Sequence, residues 1–122
     1  MSSTFAYCAK LRISFAVEPA RWAARLSELS RRNAGRTVAV EVDDADFGAQ
    51  AQATGYPFMG ADYDHRDDRI EIMLGARGPG RAHFTHSVTS PTSLDVLERP
   101  NGELIALRIA NARGQVVVSF TT

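Results

Sequence analysis

The sequence predicts an α+β fold, in which one helix packs on a curled antiparallel sheet or small barrel of about six to eight short strands. The first observation is a helical stripe formed by Trp22, Leu26 and Leu29 at spacings of four and three. The second is a series of short strand-like segments at roughly ten-residue spacing, separated by turn-forming residues. With 122 residues and 44% apolar side chains, the chain can bury one modest core, so residues 1–122 are predicted to form a single domain.

The first two predicted elements are a short strand and the helix. Ile13, Phe15 and Val17 alternate with small residues in the period of a strand. Glu18 and Pro19 then open the helix, because proline is favoured at the first helical position. Asn33-Ala34-Gly35 ends it, since a glycine can take the left-handed conformation after the last turn.

The period changes to two from Arg36 onward. Thr37–Val42 places Val38, Val40 and Val42 on one face, which predicts a half-buried strand. The Asn101-Gly102 pair is the strongest hairpin signal in the chain, and Gly55-Tyr56-Pro57 is expected to form a turn. The other predicted strands are Gly48–Ala53, Phe58–Tyr63, Arg69–Leu74, His83–Thr89, Ser93–Glu98, Leu104–Ala110 and Gln115–Thr121.

Charge and cysteine content exclude several classes of function. Fourteen basic and fourteen acidic side chains cancel, so no overall field would attract nucleic acid or an anionic membrane surface. The single cysteine, Cys8, excludes an internal disulfide and a multi-cysteine metal site. The first ten residues lack the pattern of a secretory signal, and no stretch approaches about eighteen apolar residues. We therefore expect a cytoplasmic protein.

An acidic stretch is the first candidate site. Asp62, Asp64, His65 and Asp67, with the neighbouring Asp68, could ligate a divalent cation, because hard ions take several oxygen ligands from one loop. Their spacing does not match the calcium-binding loop. The alternative is a solvated hairpin turn in which aspartate side chains bond nearby backbone amides.

Histidines form the second candidate site. In a strand, His83 and His86 would point to opposite faces and could not share a metal ion without a bulge. His86 lies beside Ser87, but adjacent strand side chains also point apart and no Gly-x-Ser-x-Gly elbow is present. The alternative is a partly buried histidine bonded to a backbone carbonyl.

Two further features have simple structural interpretations. The loop Gly75–Arg81 carries glycines and two arginines, but it matches neither the phosphate loop nor the dinucleotide loop, so a hairpin loop is expected. Cys8 near Lys10 could have a lowered thiol pKa, yet a lone cysteine in an apolar stretch is usually an inert small hydrophobe.

Short motifs also carry a family resemblance, over Asn33–Asp46 and Ile70–Leu107. They are Trp22 in the helix, Ala34-Gly35, VAVEVDDADFGAQ, the strand ending IMLG, and HSVTSP. In these features the chain resembles an uncharacterised bacterial family of small stand-alone domains of unknown function. The resemblance implies no activity, substrate or cofactor, so the cofactor stays unknown and no functional residue is carried over.

Two functional hypotheses follow. The first is a non-enzymatic cytosolic interaction module that presents a sheet face or edge to a protein partner or to a copy of itself, since no complete catalytic motif is present and edge strands invite pairing. The second is a protein or enzyme that binds a small molecule or divalent metal through the Asp62–Asp68 region and His86, where ionisable groups are dense.

Overall fold

The computed structural model describes residues 12–46, 48–75 and 84–121. In these residues one α-helix packs on antiparallel strands, which confirms the predicted α+β class. The helix α1 spans Trp22–Asn33 and follows a 3₁₀ turn at Pro19–Arg21. The strands are β1 Ile13–Ala16, β2 Thr37–Asp44, β3 Gly48–Asp64, β4 Arg69–Leu74, β5 Phe84–Thr89, β6 Ser93–Glu98, β7 Leu104–Asn111 and β8 Gly114–Phe120.

The described strands form one eight-stranded sheet in the order β1-β6-β7-β8-β2-β3-β4-β5. No pairing joins β1 to β5 in this part of the chain, so the sheet is open rather than a closed barrel. It is nevertheless curled, because only Ser90–Thr92 connect β5 to β6, although five other strands separate them in the sheet. The Asn111 Nδ2 atom donates to the Thr89 carbonyl at 3.0 Å across this curl.

The apolar stripe of α1 lies against the sheet as predicted. Trp22, Leu26 and Leu29 are all buried, and burying side chains of this size stabilises a fold by about 1.5–3 kcal/mol each. The Trp22 indole donates to the Val17 carbonyl at 2.8 Å, which joins the helix to the chain leaving β1. Alternate residues of the strands complete the core, including Val38, Val40, Phe58, Ile70, Ile72, Leu74, Leu94, Val96, Leu107, Ile109 and Val118.

The predicted turn at Gly55-Tyr56-Pro57 is wrong. β3 continues through these residues as a single strand of 17 residues. Gly55 has a φ of 80° and lies where the register between β2 and β3 shifts, so it forms a bulge. Pro57 lies opposite Thr37 at the end of this pairing, and Phe58 then pairs with Leu74 of β4. Proline is tolerated here because β3 changes its partner at this point.

The hairpin predicted at Asn101-Gly102 is confirmed between β6 and β7. The Gly102 N–H donates to the Arg99 carbonyl at 2.8 Å, so Pro100 and Asn101 occupy the centre of the turn. Gly102 follows with a φ of 89°. The connection is therefore a turn followed by a left-handed glycine, rather than a two-residue loop centred on Asn101-Gly102.

Candidate functional site

The acidic stretch Asp62–Asp68 closes the hairpin between β3 and β4. Asp64 Oδ1 accepts hydrogen bonds from the N–H groups of Arg66 at 3.0 Å and Asp67 at 3.4 Å. Asp67 Oδ2 lies 3.2 Å from Arg69 Nη2. Asp64 thus stabilises the turn through its side chain, as the turn interpretation of this sequence expects.

A groove of about 610 Å³ lies between the start of α1 and this turn. Asp62, Asp64 and His65 line it together, whereas Asp67 does not. Within residues 12–46, 48–75 and 84–121, no group of three or more histidine, cysteine, aspartate or glutamate side chains has the geometry to hold a metal ion. The four-residue metal site stays a prediction.

Tyr63 and Asp68 form a short hydrogen bond across the turn. The Tyr63 hydroxyl donates to Asp68 Oδ1 at 2.7 Å. This hydrogen bond to a carboxylate raises the pKa of Tyr63 above its ordinary value of 10.0, and desolvation and the charges of Asp68 and Asp64 add to the effect. On its other side, the Tyr63 ring meets the Trp22 ring edge to face, with centroids 5.2 Å apart.

His86 lies away from the acidic turn, on β5. Its cross-strand neighbour on β4 is Ile72, which in turn lies opposite Ala61 of β3. Both neighbours are buried, so the His86 side chain points to the core side of the sheet. Asp62 follows Ala61 on β3 and therefore points to the opposite face of the sheet. The structure does not bring these two predicted site residues together.

A cleft of about 180 Å³ opens beside His86, where the curl of the sheet brings β5 opposite β2, β7 and β8. Val42 and Ile109 contribute apolar surface, while Asp44 and Asn111 contribute polar groups at the strand ends. Burial lowers the pKa of His86 below its ordinary value of 6.5. The sequence does not reveal this cleft, because its residues come from strands that are far apart along the chain.

The strand β1 forms one edge of the sheet, and all four of its residues are exposed. Ile13 and Phe15, on the same face, keep 39% and 49% of their surface accessible. The strand pairs with β6 through the register that sets Phe15 opposite Val96. Its other edge pairs with no strand of the described residues. Sequence reasoning predicts the strand from its alternation but does not indicate that its apolar face stays exposed.

A groove of about 550 Å³ runs beside β1, along the start of the helix. Phe15 and Val17 form part of its wall, and Arg25 and Glu98 lie within it as an ion pair of 2.7 Å. Arg25 also bonds Glu28 at 2.6 Å. This pairing ties α1 to β6 next to the exposed edge.

Several residues singled out in the sequence lie outside the described residues. They are Cys8, Lys10, His83 and residues 76–81 of the glycine-rich loop. In the described part of the chain, no helix has the length and apolar character needed to cross a membrane.

Comparison with curated proteins and with solved structures finds no match. Residues 14–122 match the model of a protein family of unknown function, DUF5335. The match takes in α1, seven complete strands and most of β1, and it confirms the resemblance to an uncharacterised small domain. The chain therefore belongs to this family of unknown function, DUF5335.

Proposed function

We propose that this protein is a non-enzymatic cytosolic interaction module that binds an extended protein segment as an additional strand beside β1. The observation that supports it best is the exposure of Ile13 and Phe15 on an edge strand. An open edge is a template for pairing, and proteins usually place charged side chains on it or cover it; β1 is short but carries apolar side chains at Ile13 and Phe15. The cytosolic placement rests on the single cysteine, since small secreted domains commonly carry disulfide pairs.

The backbone of β1 is arranged for strand addition. Val17 N–H donates to the Leu94 carbonyl of the β6 side at 2.9 Å. In an antiparallel ladder the groups that face one neighbour alternate along the strand. Phe15 and Val17 therefore direct their backbone groups toward β6, and Ser14 and Ala16 direct theirs outward.

Side chains would add affinity and selectivity. In strand addition the main chain supplies hydrogen bonds, and alternate side chains supply the specific contacts. Phe15 can contact an apolar side chain of the incoming segment on the face that carries Ile13. On the opposite face of β1, Ser14 has a small polar side chain, so this face would add little selectivity for the sequence of the incoming segment.

Hydrogen exchange tests whether the outer edge is open. In dilute protein we expect the Ser14 and Ala16 amides to exchange fast and the Phe15 and Val17 amides to be protected by β6. Strong protection of the Ser14 and Ala16 amides in the monomer would show that the edge is already covered, and would contradict the proposal.

A proline substitution tests binding directly. Ser14→Pro removes an outward N–H and leaves the β6 ladder in place, because edge strands accept proline where the N–H faces outward. Peptides selected on the wild-type protein from a displayed library of random heptapeptides should bind Ser14→Pro about tenfold more weakly, since a hydrogen-bond donor is lost. Ser14→Ala is the matched control and should bind as wild type. Selected peptides that bind both variants equally would contradict the proposal.

The second candidate is binding of a divalent metal or small molecule by the acidic turn or by His86. It is favoured by the groove that Asp62, Asp64 and His65 share. Calorimetric titration with Mg²⁺, Ca²⁺, Mn²⁺ and Zn²⁺ on wild type and on Asp64→Asn tests the metal version, because asparagine can keep the turn while removing the charge. If neither protein shows heat of binding with any of these ions, metal binding by the acidic turn is excluded.

A further inference from the structure

The segment that contains β1 is symmetric in its chemistry about Phe15. It reads Arg12-Ile13-Ser14-Phe15-Ala16-Val17-Glu18. Small residues flank Phe15, apolar β-branched residues lie outside these, and opposite charges stand at the two ends. A strand with this pattern is complementary to an antiparallel copy of itself.

We propose that the strand added to β1 is β1 of a second copy of this chain, in the antiparallel register that sets Phe15 opposite itself. This inference rests on the proposed function, because it needs the outer edge of β1 to accept a strand. A two-fold axis through the Phe15 pair relates the copies, as a closed dimer requires. The pairing joins two eight-stranded sheets into one continuous sheet.

The backbone groups fit this register. Ser14 of one copy lies opposite Ala16 of the other, and both direct their N–H and C=O groups outward. Such residues exchange two hydrogen bonds when they face each other. The symmetry repeats this exchange on the other side of Phe15.

The side chains fit as well. The two Phe15 residues form the pair whose side chains approach most closely, with Cα atoms about 4.5 Å apart. Ile13 lies opposite Val17 of the second copy on the same face. An aromatic pair on neighbouring strands stabilises a sheet, and contact between Ile13 and Val17 removes further apolar surface from water.

Opposite charges meet at both ends of the pairing in this register. Arg12 lies opposite Glu18 of the second copy, and Glu18 keeps an extended backbone with φ −62° and ψ 138°, so the strand direction continues to it. Both residues are exposed, and neither makes an ion pair with another residue of the described ranges. A shift of two residues in one direction would place Arg12 opposite Ala16 of the second copy. A shift of two residues in the other direction would place Glu18 opposite Ser14.

Sedimentation equilibrium with charge-reversal variants tests the pairing. Arg12→Glu places like charges at both ends of the interface and should raise the dimer dissociation constant about tenfold, because opposite charges across a strand pair attract and like charges repel. The double variant Arg12→Glu, Glu18→Arg restores opposite charges and should return the constant to that of wild type. Equal dissociation constants for all three proteins would overturn the register.

Disulfide trapping tests the register independently of affinity. In a Cys8→Ser background, an equimolar mixture of Ser14→Cys and Ala16→Cys should give a mixed disulfide dimer, because these positions face each other. Each variant alone should cross-link poorly, since its two cysteines would be more than about 7 Å apart at Cα. Cross-linking of each variant with itself at the same rate would overturn the register.

The two proposals fail in different ways. A wild-type protein that stays monomeric at high concentration, while library peptides still depend on Ser14, would overturn the second copy as the partner and support strand addition. A dimer that Ser14→Pro leaves intact would show that self-association uses another surface, and would overturn this inference. Loss of the dimer in Ser14→Pro, with Ser14→Ala unaffected, supports both.

Discussion

The Ser30 hydroxyl accepts a hydrogen bond from the Ala61 N–H at 2.9 Å and lies 2.7 Å from the Leu26 carbonyl, to which it donates. Ala61 lies in the part of β3 that has left β2 and pairs only with β4. Ser30 therefore takes, for one residue, the place of a neighbouring strand. In this way α1 covers a sheet edge that would otherwise be open.

We expect Ser30→Ala to lower the free energy of unfolding by about 1–3 kcal/mol, because the buried Ala61 N–H loses its acceptor. Urea denaturation measures the change. Ser27→Ala is the control, since Ser27 is exposed and its hydroxyl accepts from Arg31 at 2.9 Å; it should change stability by less than about 0.5 kcal/mol. Equal effects of the two substitutions would contradict the role of Ser30.

Gly114→Ala should destabilise the protein by roughly 2–5 kcal/mol, through backbone strain and steric displacement together. Gly114 has a φ of 151°, and a Cβ atom there would collide with the Asp43 carbonyl of the adjacent β2. Gly35→Ala is the matched control: Gly35 has a φ of 90° but open space around it, so only strain of about 1–2 kcal/mol is expected. In thermal unfolding, the Tm of Gly114→Ala should be lower than the Tm of Gly35→Ala. The reverse order would refute the steric argument.

Asp68→Asn should lower the pKa of Tyr63 toward 10.0, because the hydrogen bond to the charged Asp68 side chain is the largest cause of its increase. Asparagine suits this position, where φ is 49°, since it tolerates the left-handed conformation. Ultraviolet titration of tyrosinate formation measures the pKa. Tyr63→Phe identifies the Tyr63 signal among the three tyrosines of the chain. An unchanged titration in Asp68→Asn would show that the charge of Asp68 has no effect on Tyr63.

His86 should make the fold less stable in mild acid. Because burial lowers the pKa of His86 in the folded state, the unfolded chain binds the proton more readily. The stability associated with neutral His86 is therefore complete above the unfolded value near 6.5 and is lost as the pH falls from there toward the folded pKa. Urea denaturation at a series of pH values between about 4 and 8 measures this dependence.

His86→Gln should flatten this part of the pH dependence, since glutamine does not titrate in this range. The control is His65→Gln, which replaces an exposed histidine of the β3–β4 turn. A pH dependence that persists in His86→Gln and disappears in His65→Gln would show that His65, and not His86, causes it. This result would contradict the prediction.

Local patterns predicted the helix and most strands. The stripe of Trp22, Leu26 and Leu29 identifies α1, because burial of one helical face requires that spacing. Arg69–Leu74 and Ser93–Glu98 match β4 and β6 residue for residue, since turn-forming residues flank them. The error at Gly55-Tyr56-Pro57 arose because a glycine beside a proline resembles a turn in sequence, while here a bulge and a change of partner accommodate both.

Strand order and the candidate site depend on long-range contacts that no local pattern contains. The alternation of Ile13 and Phe15 predicts a strand, but the position of β1 at the sheet edge follows from its pairing with β6. The cleft at His86 exists because the sheet curls and brings Asn111 close to Thr89. The Asp64 turn could be predicted, because its hydrogen bonds join residues two or three positions apart.

The place of β8 in the sheet has a consequence for the synthesis of the protein. β8 is the last strand in the described chain, yet it lies between β7 and β2. Until β8 has left the ribosome, the described strands that precede it form two separate groups, one containing β1, β6 and β7 and the other β2 to β5. The two groups therefore join into one sheet only after β8 has emerged, and before that step the facing edges of β2 and β7 can pair with other exposed strands.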